Sequence, residues 1–163
     1  MISIITPSYN QVELLKRCCR SVADQDVPHE HLVIDGGSTD GTVAWLQQQP
    51  TLRWVSEPDR GMYDALNKGL RLAKGDLVAY LNCDEQYLPG ALSSVAAWMA
   101  AHPSEDLVFG DALLVRPDGA LAAFRKAYPL RWWYVGAAHL YVQSCALFFR
   151  ARLASALGWA SSP

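Results

Sequence analysis

The 163-residue sequence contains no run long and apolar enough to cross a bilayer, which excludes a membrane-spanning helix within it. Its first residues, MISIITPSYN, have neither the basic segment nor the small-residue cleavage site of a signal peptide, so the cytoplasm is the expected compartment. Charge of one sign is also missing. The 14 Lys and Arg residues stand against 16 Asp and Glu, a net charge of −2, which argues against a polyanion-binding surface and so against nucleic acid as a partner. Cysteine is scarce: Cys18, Cys19, Cys83 and Cys145 have no ligand-pair spacing and are read as reduced thiols rather than a zinc site. No phosphate loop ending in Gly-Lys-Ser/Thr occurs, and Asp35-Gly36-Gly37 lacks the G-x-G-x-x-G spacing of a dinucleotide fingerprint. Repeats, low-complexity tracts and interdomain linkers are absent, so one domain covering residues 1–163 is expected.

What remains is a soluble composition, 51% hydrophobic, with room for a proper core. Its patterning alternates between strand and helix. Ile2, Ile4 and Ile5 predict a first strand that ends in Thr6-Pro7-Ser8-Tyr9-Asn10, with Asn10 placed to cap a helix from Val12 to Ala23. His31 to Ile34 predict a second strand, followed by the turn Asp35 to Thr42, in which Ser38 or Thr39 could cap a helix from Val43 to Gln48. Leu52 to Ser56 predict a third strand. Met62, Ala65, Leu66, Leu70 and Ala73 then recur at helical spacing, and Leu77 to Leu81 form an apolar run bounded by Gly75-Asp76 and by Asn82-Cys83-Asp84-Glu85. Such a run reads as a strand covered on both faces, hence a mainly parallel sheet flanked by helices, an α/β fold.

Later residues change character. After a helix from about Gly90 to Ala101, Asp106 to Val115 and Ala120 to Arg125 flank the turn Arg116-Pro117-Asp118-Gly119, which predicts a smaller antiparallel part in the C-terminal half. Tyr128 to Tyr134 are aromatic-rich with basic neighbours, read either as ordinary packing or as an acceptor platform or membrane-surface contact. Tyr141 to Phe149 predict a last strand and Arg150 to Leu157 a short helix. Among the histidines, His139 alone is kept as a candidate for an acceptor pocket.

Open α/β sheets bind ligands beyond the carboxyl ends of their strands, where Thr6 to Asn10, Asp35 to Ser38, Glu57 to Arg60 and Asn82 to Glu85 fall. Asn82 and Asp84 could share one divalent cation, since hard cations take oxygen ligands. Asp84 and Glu85 could equally do no more than start the turn into the next helix. The residues alone leave both readings open.

Taken in order, IITPSYNQ, VIDGGSTDGT, EPDRGMYDALNKGL, AKGDLVAYLNCDE and FGDALLVRPDG resemble glycosyltransferase family 2, especially bacterial enzymes of polysaccharide assembly in the cell envelope. The resemblance covers Met1 to about Phe149 and implies a GT-A fold, with residues 1–105 as a nucleotide-sugar half and 106–163 as an incomplete acceptor-side half. It implies a nucleotide-diphospho-sugar donor, commonly a uridine (UDP) one, a Mn2+ or Mg2+ ion, a saccharide or lipid-linked acceptor and inversion at the anomeric carbon. Residue by residue, Thr6, Pro7 and Tyr9 match the nucleoside-binding first loop, and Asp35 the acidic position after strand two. Asp64 and Asn67 match positions facing donor sugar and ribose. Asn82-Cys83-Asp84 matches the D-x-D signature, with Asp84 as the metal ligand, Asn82 as a weaker one, and Cys83 in the donor site.

Three departures accompany the likeness. Asn82 replaces the first acid of the triplet, and Gly36 stands where many relatives carry a second Asp. The family's base lies downstream of a Gly-aromatic turn like Gly158-Trp159, which places it beyond Pro163, the last residue of this sequence. The expectation is therefore a shortened transferase that binds a donor and turns over poorly, or one in which Asp111 substitutes as the base. The alternative is a non-catalytic sugar-nucleotide binding module. Lipid-linked acceptors would bring peripheral contact with the inner membrane face.

Overall fold

The computed structural model describes residues 1–129 and 142–156. Its elements are β1 (Ile2–Ser8), α1 (Val12–Ala23), β2 (His29–Asp35), α2 (Thr42–Leu46), β3 (Arg53–Ser56), α3 (Met62–Leu72), β4 (Leu77–Tyr80) and α4 (Ala91–Ala101). There follow β5 (Leu107–Phe109), β6 (Ala112–Val115), β7 (Leu121–Arg125), a 3-10 turn (Ser144–Ala146), β8 (Leu147–Arg150) and α5 (Ala151–Ala156). Trp132, Trp133, Tyr134, His139, Gly158, Trp159 and Pro163 lie outside the described residues.

Six strands form one sheet in the order β3-β2-β1-β4-β8-β5. β1 runs parallel to both β2 and β4, and β2 runs parallel to β3, as the apolar runs predict. β8 lies antiparallel between β4 and β5. A second sheet holds β6 and β7 alone, so the antiparallel part consists of one inserted strand and one separate hairpin.

Two helical layers cover the sheet because β1 alternates its isoleucines between faces. Ile2 and Ile4 pack with Cys18, Val22, Leu92 and Met99 of α1 and α4, while Ile5 packs with Leu32, Ile34, Ala65 and Leu66 beneath α3. The approach of α3 to β1 depends on Gly69, where a Cβ would stand 2.3 Å from Ile5 Cγ2. Gly69→Ala would push helix and strand apart.

Helix starts depart from the sequence expectation. Asn10 does not cap α1; it adopts φ 52° and its Oδ1 accepts a hydrogen bond from the Thr39 amide at 2.8 Å. Asp40 serves two helices instead, its Oδ2 accepting from Val12 N (2.9 Å) and its Oδ1 from Thr42 N (3.1 Å). Ser38 and Thr39 therefore do not cap α2. Similarly, the buried Gln25 at the end of α1 accepts from Leu92 N at 3.1 Å and so caps α4.

Candidate functional site at the carboxyl edge of the sheet

The strand order reverses at β1: the chain proceeds outward to β2 and β3, then returns to β4 on the other side. The loops leaving β1 and β4 in the same direction bound the crevice in which such sheets take ligands. Hydrogen bonds fasten these loops to one another. Gly36 N donates to Ser8 O (2.9 Å) and Asn10 N to Ser38 Oγ (2.8 Å), joining the loops after β1 and β2. Cys83 Sγ donates to Gln11 Oε1 at 3.1 Å, joining the loop after β1 to the turn after β4.

Asp35 sits at the centre of the first junction with no exposed surface. Its Oδ2 accepts from Gly37 N (3.1 Å), Ser38 N (2.9 Å) and Ser56 Oγ (2.6 Å), and its Oδ1 accepts from Ser38 Oγ (2.5 Å). A carboxylate that is acceptor-only and so fully engaged organises its loop from beneath. Gly36 is required beside it: a Cβ there would lie 2.8 Å from Asp59 Oδ2, so glycine lets the loop after β3 close on the loop after β2.

Thr6 is likewise buried, its Oγ1 2.8 Å from His31 Nε2. Burial, reinforced by the His29 charge, pushes His31 down to about 3, which keeps this pair uncharged. Pro7 is buried in β1, whereas Tyr9 projects at the rim with 62% exposure. The neighbouring Ser8 Oγ is buried without a partner among the described residues.

Across the crevice, the turn after β4 closes with Glu85 N donating to Asn82 O (2.9 Å), while Glu85 Oε2 accepts from Asn82 N (2.8 Å). Burial raises Glu85 despite this donor. Burial also pushes the Cys83 thiol up to about 11, so it stays protonated as the donor to Gln11. Asp84 is the exception. It is exposed, and its carboxylate makes no hydrogen bond or ion pair with a described residue.

Asp64 in the first turn of α3 and Asn67 midway along it are half-buried. Asp64 accepts from Arg60 N (3.2 Å) and Arg60 Nη2 (3.3 Å) and lies 3.8 Å from Lys68 Nζ. The Arg60 amide first, then its guanidinium and Lys68, hold the Asp64 carboxyl below its ordinary range against the opposing effect of desolvation. The family's usual base, expected beyond Pro163, falls outside the described residues, which leaves Asp111 as the candidate within them. Asp111 follows β5 and is exposed, with Oδ1 accepting from Ala127 N at 2.7 Å. Because β5 and β4 are both antiparallel to β8, Asp111 leaves the sheet on the same edge as Asp84.

The family model described as "Glycosyl transferase family 2" matches residues 3–151. The chain belongs to glycosyltransferase family 2. A "PGL/p-HBAD biosynthesis glycosyltransferase" of Mycobacterium bovis is 38% identical over 121 residues, covering 70% of this chain and 47% of that protein. Glycosyltransferase AglE of Haloferax volcanii is 31% identical over 136 residues, covering 76% and 43%. The chain thus spans less than half the length of these curated relatives. Among solved structures, the mannosyltransferase PcManGT of Pyrobaculum calidifontis, in complex with GDP-Man and Mn2+, superposes with TM-score 0.70 at 24% identity, covering 96% of this chain and 46% of that one. TarS of S. aureus with UDP-GlcNAc gives TM-score 0.73 at 20% identity, covering 96% and 47%. The family 2 chain therefore has the GT-A fold that its motifs imply.

Sequence reasoning missed the parts played by Gln11, Asp40 and Ser56, whose hydrogen bonds shape the rim, and it placed Ser38 and Asp59 on the rim without their partners. It placed Glu85 on the rim, or as a turn residue, without foreseeing that its carboxylate accepts from Asn82 N. Asp40 alone carried a local signal, standing two residues before a helix start.

Proposed function

We propose that the chain binds a nucleotide-diphospho-sugar, most simply a UDP-sugar, in the crevice between the loops after β1 and β4, and transfers the sugar to a saccharide or lipid-linked acceptor. The observation that carries this reading is Asp84, an exposed carboxylate without a partner among the described residues, on a rim whose loops are fastened to one another by hydrogen bonds. Among the described residues no three His, Cys, Asp or Glu side chains gather into a metal cage. A single offered carboxylate fits the way Mg2+ or Mn2+ is held, by one or two protein carboxylates with donor phosphates completing the shell. Asp84 would hold the ion, with the Asn82 amide oxygen beside it, and the ion when bound would stabilise negative charge on the departing diphosphate.

In this reading residues 1–105 form the donor half and 106–163 the acceptor side. The Tyr9 ring offers a stacking surface for the base. Pro7 stiffens the loop wall, and Thr6 and Asp35 hold it in shape from inside. Asp64 and Asn67 face donor sugar and ribose, and Cys83 locks the turn that aims Asp84. Inverting transfer forms a bond from the acceptor oxygen to the anomeric carbon as the bond to the diphosphate breaks, and the acceptor proton passes to a carboxylate. We assign that carboxylate to Asp111, for its exposure and its place on the same edge. A cytoplasmic enzyme working on lipid-linked acceptors would act at the inner membrane face.

Calorimetric titration with Mn2+ and a panel of nucleotide sugars tests the reading. Metal-dependent binding that Asp84→Ala abolishes is expected; no binding from any donor, or binding indifferent to Asp84→Ala, overturns it.

A further inference from the structure

The loops that follow β1, β2, β3 and β4, residues 9–11, 36–41, 57–61 and 81–90, carry Asp40, Glu57, Asp59, Asp84 and Glu85 against a single cation, Arg60. A rim so acidic repels a diphosphate unless positive charge meets it. In the donor-site reading above, on which this inference rests, an ion at Asp84 would supply part of that charge. The departing diphosphate becomes more negative as the sugar leaves, so a side-chain cation on the same edge stabilises it further.

Arg60 has its backbone and its side chain held in different ways. Arg60 N donates to Asp64 Oδ2 (3.2 Å) and Gly61 N to Asp59 Oδ1 (2.8 Å), so main-chain bonds keep the loop in shape. The guanidinium rests on Asp64 Oδ1 through one contact, Nη2 at 3.3 Å, and the side chain is 87% exposed. A single-contact pair in open solvent is a weak restraint, and the guanidinium can leave Asp64 without unfastening the loop. Lys68 has no such freedom. Its side chain is 16% exposed, and its Nζ lies 2.9 Å from Glu57 Oε1 and donates to Pro58 O at 3.2 Å.

We propose that Arg60 is the chain's own cation for the donor diphosphate: on donor binding its guanidinium exchanges Asp64 for phosphate oxygens, which its planar fork of donors suits. Asp64 Oδ1 is thereby released to accept a hydroxyl of the donor sugar.

Calorimetry with UDP and GDP in the presence of Mn2+, beside saturation-transfer NMR with uridine and guanosine, separates the diphosphate from the base. Arg60→Gln should weaken the nucleoside diphosphate about thirtyfold and leave its nucleoside unchanged. Arg60→Lys, with the charge but without the fork, should fall between. Asp64→Asn, which loosens the resting contact, should bind the diphosphate at least as tightly as wild type. Arg60 is exposed, so the fold of its variants, read by circular dichroism, should persist. Unchanged diphosphate affinity in Arg60→Gln, where Asp84→Ala abolishes it, overturns this inference and leaves the donor site standing. So does an equal loss for diphosphate and nucleoside in Arg60→Gln, which would make Arg60 a shaper of the loop, or weaker diphosphate binding by Asp64→Asn. Failure of the wild-type chain to bind any nucleoside diphosphate overturns the donor-site reading and this inference with it.

Discussion

The loop after β2 and the turn after β4 stand on the same edge of one sheet and use their carboxylates in opposite ways. Asp35 is enclosed and gives its oxygens to four donors, while Asp84 is open and gives its oxygens to none among the described residues. A rim of this kind divides labour: one acid fixes the backbone so that the other can be presented to a ligand without moving.

The largest effect is expected from Asp35→Ala, which strands two backbone amides and two hydroxyls in a buried junction. It should cost about 3 to 5 kcal/mol in thermal or denaturant unfolding and abolish donor binding as well. Asp84→Ala should show the reverse pattern. Unfolding should move by no more than about 0.5 kcal/mol, while transfer measured as nucleoside diphosphate release should fall by about 10² to 10³. If Asp84→Ala destabilised the protein as much as Asp35→Ala, the division of labour would be wrong.

A smaller effect tests the buried pair beneath the Asp35 side of the rim. Folded His31 stays neutral down to about 3, whereas in the unfolded chain it takes up a proton below about 6.5. Its contribution to stability is therefore full above about pH 6.5 and is lost as pH falls toward about 3, by about 1.4 kcal/mol per unit. Between about pH 7 and pH 5, wild type should lose about 2 kcal/mol more than His31→Asn, as read by urea denaturation at each pH. The smallest effect is expected from Cys83→Ala, which removes only the thiol donated to Gln11. Stability should drop by about 1 kcal/mol, and donor affinity should weaken through a looser turn rather than a lost ligand.

Much of the frame was legible because it rests on local pattern. The 3.6-residue recurrence from Val12 to Ala23 and from Met62 to Ala73 and the apolar run from Leu77 to Leu81 reappear as α1, α3 and β4 to within a residue. The helix caps were not legible, since Asp40 reaches back 28 residues to Val12 and Gln25 reaches forward 67 to Leu92. Nor could spacing tell which acid on the rim would be consumed: Asp35 and Asp84 both end strands in polar clusters, and only the hydroxyls of Ser38 and Ser56 decide between them. The insertion of β8 beside β4 was equally hidden, because a four-residue apolar run carries no mark of its neighbour or direction.

That insertion bears on how the polypeptide matures on the ribosome. β5 touches the sheet only through β8, a strand synthesised about forty residues later, so Leu107 to Phe109 emerge with no edge to join. Until Leu147 to Arg150 appear, nascent β4 keeps an unpaired edge, and any product released earlier would carry it into solution as a template for aggregation.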